Sequence, residues 1–257
     1  MNHPPRTPSC TPSRTPSRRQ VLTTAATTLA AGALAGCAGS TSGPTAEAGT
    51  QVPNAAATTT LVADGKQAME RLMAGNARFV AAQEQDLDEG IARRVAVSKG
   101  QHPFATILGC VDSRVPIELV FDQGLGDLVV VRSAGGALDR SVTGSIEFGI
   151  AELHTPLLMV LGHQRCGALD ATIKAVDAGR RTSAAGSLDY LVDTLAPAVR
   201  QVTGKPGDRL TNAVQANVTL TLTKLRQSPV ISPLEKSGKL KLIAAYYELD
   251  TGRVVLL

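Results

Sequence analysis

The chain has 257 residues, with 26 Lys and Arg against 22 Asp and Glu, for a formal net charge of +4. Four of the bases, Arg6, Arg14, Arg18 and Arg19, lie in the first 37 residues, which hold no acid; the remaining 22 bases balance the 22 acids. Beyond the leader there is no cationic surplus, and three Tyr, four Phe and no Trp leave little for stacking bases, so composition excludes a nucleic-acid binder.

The first 60 residues do not read as a domain. Ser17-Arg18-Arg19-Gln20-Val21-Leu22 resembles a twin-arginine export signal, and the apolar stretch Val21–Gly36 is too short to span a bilayer core of ~30 Å comfortably. Leu34-Ala35-Gly36-Cys37 resembles a lipobox, with Cys37 as the lipidated first residue of the mature protein; ordinary cleavage near Ala35 or Ala38 is the alternative. Residues 1–37 are therefore expected to be an export signal. Residues 38–60, mostly Ala, Thr, Gly and Ser, are expected to be a flexible linker with too little apolar bulk to order itself. Residues 61–257 remain as one domain.

In that domain Asp64 can cap a helix through about Val80, with Met69, Leu72, Met73 and Val80 on one face. Gln83 to Gly90 is a polar loop. Residues 104–109 read as a buried strand, and Gly109 is expected to let the chain turn closely at the site. Pro116 can open a helix from Ile117 to about Gln123, and Gly124–Asp127 leads into a second strand, Leu128–Arg132. A helix over Thr143–Leu153 precedes a third strand that starts at Leu157 and ends at Gly162. A further helix begins at Cys166 or Gly167 and stops at Gly179, and another spans Ser187–Val202, where Pro197 can kink it. Residues 211–227 fit both periods: Val218–Thr223 alternates like a strand, while Val214, Val218, Leu222 and Leu225 keep helical phase, and length favours the helix. Lys239–Leu249 and Arg253–Leu257 read as strands joined at Asp250-Thr251-Gly252. The sum is an α/β fold, a mostly parallel β-sheet with an antiparallel C-terminal strand, flanked by helices.

Two short stretches carry the chemistry. Cys110-Val-Asp112-Ser-Arg114 follows the first strand and His163-Gln-Arg-Cys166-Gly167 follows the third. Two thiols and an imidazole at strand ends suit zinc, and three protein ligands leave a fourth position open unless Asp112 takes it. The cysteine count agrees. Of four, Cys10 and Cys37 lie in the leader, which leaves Cys110 and Cys166 for the metal; a disulfide between those two is the alternative.

The paired motifs resemble those of the β-class carbonic anhydrases. So do Val130-Val-Arg132-Ser-Ala-Gly135-Gly136, Gly144-Ser-Ile-Glu147-Phe148, the Met69 to Phe79 helix and the Tyr247–Val254 hairpin, which together cover roughly residues 61–257. The resemblance implies reversible hydration of carbon dioxide to bicarbonate by hydroxide on a zinc ion (Zn2+) held by Cys110, His163 and Cys166. Asp112 would orient that hydroxide and Arg114 would keep Asp112 ionised. Gln101, Phe148 and Gly167 match substrate-pocket positions, with Gln101 usually reaching the pocket of a partner subunit. The resemblance further implies a homodimer or higher oligomer with sites at the interface. Combined with the leader, it predicts an exported enzyme held by a lipid anchor at the outer face of the cytoplasmic membrane, or else a soluble secreted or periplasmic one. Two departures stand out. Val129 replaces a Phe common in relatives. The absence of Trp leaves the bicarbonate regulatory site of some bacterial members incomplete, although Arg132 and a C-terminal Tyr are present. Two other readings compete: a carbon disulfide or carbonyl sulfide hydrolase on the same fold, and a non-catalytic, zinc-stabilised binding protein tethered to the membrane.

Overall fold

A computed structural model describes residues 62–85, 89–179 and 186–257. The chain divides into two units, 1–54 and 55–257, and all the described residues belong to the second. The expected export signal, Cys37 and the linker lie outside the described residues.

Helix α1, Gly65–Val80, starts where Asp64 accepts the free N–H groups of Lys66 and Gln67, as its position before an apolar-periodic run suggests. A short helix α2, Ile91–Val97, follows; it buries no residue. Strand β1, Ala105–Cys110, is buried throughout. After it come helix α3, Ile117–Val120, strand β2, Leu128–Ser133, and a 3₁₀ turn at Ala134–Gly136. Helix α4, Arg140–Ala151, leads to strand β3, Leu157–His163. Helices α5 (Gly167–Asp177), α6 (Ser187–Gln201), α7 (Arg209–Leu225) and α8 (Ile231–Lys236) precede strands β4 (Lys241–Tyr247) and β5 (Val254–Leu256).

The sheet order is β2-β1-β3-β4-β5, parallel except for the β4–β5 pair. β1 and β3 are buried on both faces, and their side chains divide between two cores with period two. Ala105, Ile107, Leu157, Met159 and Leu161 pack with α1 and α3. Leu108, Leu158 and Val160 pack with α4, α7 and α8. That two-sided burial is why these strands read as unbroken apolar runs. A third core gathers Cys110, Cys166, Leu169, Leu195, Val199, Val214 and Tyr246 under α5, α6 and α7. The chain leaves β1 toward β2 on one side and places β3 on the other, so β1 and β3 flank a topological switch point, where open α/β sheets leave a crevice at their carboxyl ends.

Several sequence expectations shift. The 211–227 segment is a helix, as its length argued. α2 and α8 carry no strong periodicity and were not foreseen. α4 begins three residues before Thr143 because Asp139 accepts the Val142 N–H at 2.8 Å and caps it earlier. α3 stops at Val120, three residues short of Gln123. Gly109 does not turn the chain: it lies within β1, where a Cβ would meet the Ile117 side chain at 2.5 Å.

Candidate metal centre

Cys110 ends β1 and His163 ends β3, so the paired strands bring their side chains to one rim of the sheet. Cys166 lies one turn further on as the N-cap of α5. The turn that returns it to the rim uses Arg165 in the left-handed region, φ 54°. The donor atoms of the three residues lie within 4.8 Å of one another, and all three residues are buried. They face a narrow cavity of about 10 Å3, walled in part by Gly135, Val160, Val214 and Asn217, with room for no more than about one water. Both cysteines are free thiols, so they form no disulfide.

His163 supplies the clearest sign of a cation. Its Nδ1 lies 2.9 Å from the Gln164 carbonyl oxygen, which fixes the proton on Nδ1 and leaves the lone pair on Nε2. Nε2 is buried and has no hydrogen-bond partner. A bare imidazole nitrogen beside two thiols is the donor set that zinc takes, and the carbonyl behind Nδ1 is the usual outer support of a ligating His. The thiols are coupled. Hydrogen bonding to Cys166 pulls the Cys110 thiol well below its ordinary value, against burial and with help from His163 and the Asp112 and Gly135 backbone. The same contact with Cys110, then burial, pushes Cys166 up, opposed by the Leu169 and Ala168 N–H groups at the start of α5. The opposite shifts describe one negative charge shared by two sulfurs: one thiolate forms readily and the second needs a cation.

Beside the thiols Asp112 is held by Arg114. The guanidinium donates from Nε to Oδ1 at 2.9 Å and from Nη2 to Oδ2 at 2.8 Å, and the Arg114 N–H adds a bond to Oδ1 at 3.0 Å. This fork, the largest cause, holds the Asp112 carboxyl far below the usual carboxylate range. Asp112 Oδ2 lies 3.9 Å from His163 Nε2, at the mouth of the donor cluster.

Three groups of supporting contacts were not read from the sequence. Arg132 on β2 donates to the Cys110 and Asp112 carbonyls at 2.8 and 2.7 Å, which cinches the loop between thiol and carboxylate. The Gly135 N–H donates to Cys110 Sγ at 3.3 Å, and the Gly135 carbonyl accepts from Asn217 of α7 at 2.9 Å. Gly135 has φ 63°, and a Cβ there would meet Leu169 and Leu195 at 2.9 Å, so glycine is required on both counts. Arg165 and Gln164 bond to Asp250 of the β4–β5 hairpin. Asn217, a polar residue beside the apolar Val214–Val218–Leu222 stripe, is a further signal in the sequence.

A family model described as carbonic anhydrase matches residues 105–254, which holds every one of these ligands and contacts. The chain belongs to the carbonic anhydrase family. Carbonic anhydrase 2 of Mycobacterium tuberculosis is 40% identical over 190 residues, 74% of this chain and 91% of that protein. A carbonic anhydrase of Mycolicibacterium smegmatis is 39% identical over 192 residues, again 74% and 91%. Among solved structures, the β-carbonic anhydrase CcaA is similar with TM-score 0.58 and 27% identity, covering 74% of this chain and 94% of that one. The β-carbonic anhydrase CafA of Aspergillus fumigatus, at TM-score 0.59 and 22% identity over 74% and 90% of the two chains, shares the fold. This carbonic anhydrase therefore has the β-class architecture.

Of the expected pocket residues, Gly167 is the first residue of α5, exposed beside Cys166. Phe148 stands on α4 with 55% of its surface exposed. Gln101 is exposed and precedes β1, whereas the carbonic anhydrase ligands lie at its far end, a strand length of roughly 17 Å away. Within one chain Gln101 is not brought to the site. Arg132 is committed to backbone carbonyls of the site.

Proposed function

We propose that the chain catalyses the reversible hydration of carbon dioxide to bicarbonate with one zinc ion held by Cys110, His163 and Cys166. The observation that carries this reading is the bare, buried Nε2 of His163, clustered with two thiols and adjoining a carboxylate already locked to a guanidinium. Zinc, when bound, supplies Lewis acidity that makes water nucleophilic near neutral pH.

The protein's part is orientation. Asp112 is kept ionised by Arg114, so at neutral pH it accepts a hydrogen bond from the attacking water and aims its lone pair. Arg114 gives two bonds to Asp112 Oδ1 and one to Oδ2, which leaves one Oδ2 lone pair to accept from water. The narrow walls restrict the deepest part of the site to a very small guest. A metal site that served only to hold the fold would need no locked aspartate. Gln101 would serve the pocket of a second copy, Phe148 and Gly167 would border the substrate, and the working form would be a dimer or larger.

The leader extends the proposal to export with zinc already loaded, followed by lipidation at Cys37. Residues 38–60 would then tether the enzyme to the outer face of the cytoplasmic membrane. Among the described residues no helix is long and apolar enough to cross a membrane.

The test is stopped-flow hydration of carbon dioxide alongside metal analysis. One zinc per chain and catalysed hydration are expected. Cys166→Ser should lose the metal and the rate together, since a hydroxyl is a poor substitute for thiolate. Hydration by a metal-free preparation would sink the assignment.

A further inference from the structure

The turn between two of the metal ligands is tied to the β4–β5 hairpin, which supplies none of the three ligands. Arg165 holds a left-handed conformation, uncommon for a residue with a Cβ and uphill unless its surroundings impose it. Its guanidinium forks onto Asp250, Nη1 to Oδ2 at 2.8 Å and Nη2 to Oδ1 at 2.6 Å. The neighbouring Gln164 adds two bonds to the same residue, Nε2 to Asp250 Oδ2 at 2.9 Å and Oε1 from the Asp250 N–H at 3.2 Å. The Gln164 N–H donates to the Tyr247 carbonyl at 2.8 Å, so side chains and backbone pin the turn to the end of β4.

On the other side of the same turn, the Arg165 carbonyl accepts Arg114 Nη2 at 3.2 Å, the nitrogen that also holds Asp112 Oδ2. The chain of contacts is continuous: Asp250, the Arg165 side chain, the Arg165 carbonyl, Arg114, Asp112. Charge follows the same route. Two guanidinium groups close together repel, and Arg114 is among the charges that act on Arg165; Asp250 neutralises Arg165 and leaves Arg114 to serve Asp112.

We propose that Asp250 and Arg165 form a positioning clamp that fixes the His163–Cys166 turn and, through the Arg165 carbonyl, aims Arg114 at Asp112. Neither residue touches the reacting atoms. The pair is about half exposed, so as a surface ion pair it would contribute little to stability, and its value lies in geometry. The proposal rests on the carbonic anhydrase reading for its kinetic arm alone.

The experiment uses the full zinc-loaded chain with Asp250→Ala, Arg165→Ala, the double variant and Arg165→Gly. Three quantities are measured: kcat and KM for carbon dioxide hydration, the half-time of zinc transfer to a chromophoric chelator, and Tm. Asp250→Ala and Arg165→Ala should each lower kcat about tenfold with KM within about twofold, and should speed zinc transfer by a similar factor, the lower end of what outer supports of metal ligands contribute. The double variant should be no worse than either single one, because the two residues act as a unit. Arg165→Gly should lie nearer the parent than Arg165→Ala, since glycine takes the left-handed conformation without strain. Should Asp250→Ala fail to fold, Asp250→Asn removes the charge and keeps the shape. Zinc transfer and kcat within about twofold of the parent for the Asp250 variants, or losses that add in the double variant, would overturn the clamp. A parent chain without hydration activity would defeat the functional reading instead, and zinc transfer would still decide the clamp.

Discussion

Asp112 accepts three hydrogen bonds from a single residue, Arg114, and that arrangement sets its pH behaviour. Its folded carboxyl pKa lies below the ordinary value of about 3.9, so the stability the pair contributes is present above that value and lost as pH falls through the depressed one. Protonation of Asp112 should therefore give no acid limb between pH 5 and 8, and Arg114→Gln, which removes the guanidinium fork, should move Asp112 titration up toward the ordinary carboxylate range. Asp112→Asn should keep zinc and lose most of kcat; a pH–rate profile with metal analysis checks both, and an Asp112→Asn protein with near-parental kcat would remove Asp112 from the mechanism. At this scale the sequence was legible where a residue type has its own chemistry. Cys110, His163, Cys166, Asp112 and Arg114 announce themselves as donors, an acceptor and a fork. Arg132, Arg165 and Asp250 do not, because they act by hydrogen-bonding carbonyls or one another across as many as 85 residues of chain.

α7 shows what an element adds. Its buried face carries Ala213, Val214, Asn217, Val218, Thr221, Leu222 and Leu225, and Asn217 reaches from it to the Gly135 carbonyl, whose own N–H faces Cys110 Sγ. Asn217→Leu keeps the helix and the volume and strips that partly buried carbonyl of its donor, which costs about 1 kcal/mol. The expected result is a lower midpoint in urea together with zinc affinity weakened about tenfold or more, measured by chelator competition. Unchanged zinc affinity would leave Asn217 a purely structural contact. The strands and longer helices were legible because burial on both sheet faces leaves continuous apolar runs and an amphipathic face leaves a 3.6-residue period. α2 and α8 were not: seven and six residues are too few to show a period, and α2 buries nothing that would create one. The start of α4 was misplaced because Asp139 was not weighed as its cap.

For the whole molecule, the proposed export sets one order of events: fold, take up zinc, then cross. Arg18→Lys with Arg19→Lys should hold the chain in the cytosol, and mass spectrometry of the mature N-terminus should find a lipidated Cys37 in the membrane fraction. A soluble mature form that begins after Cys37 would overturn the anchor. Gln101 lies at the opposite end of β1 from Cys110, so an active site that uses it must draw on two chains. If the proposed dimer is the working form, mass action governs catalysis. Diluted below the dissociation constant of the dimer, the enzyme should lose rate per chain even with every zinc in place, and an excess of inactive Asp112→Asn chains, whose Gln101 is intact, should restore part of it.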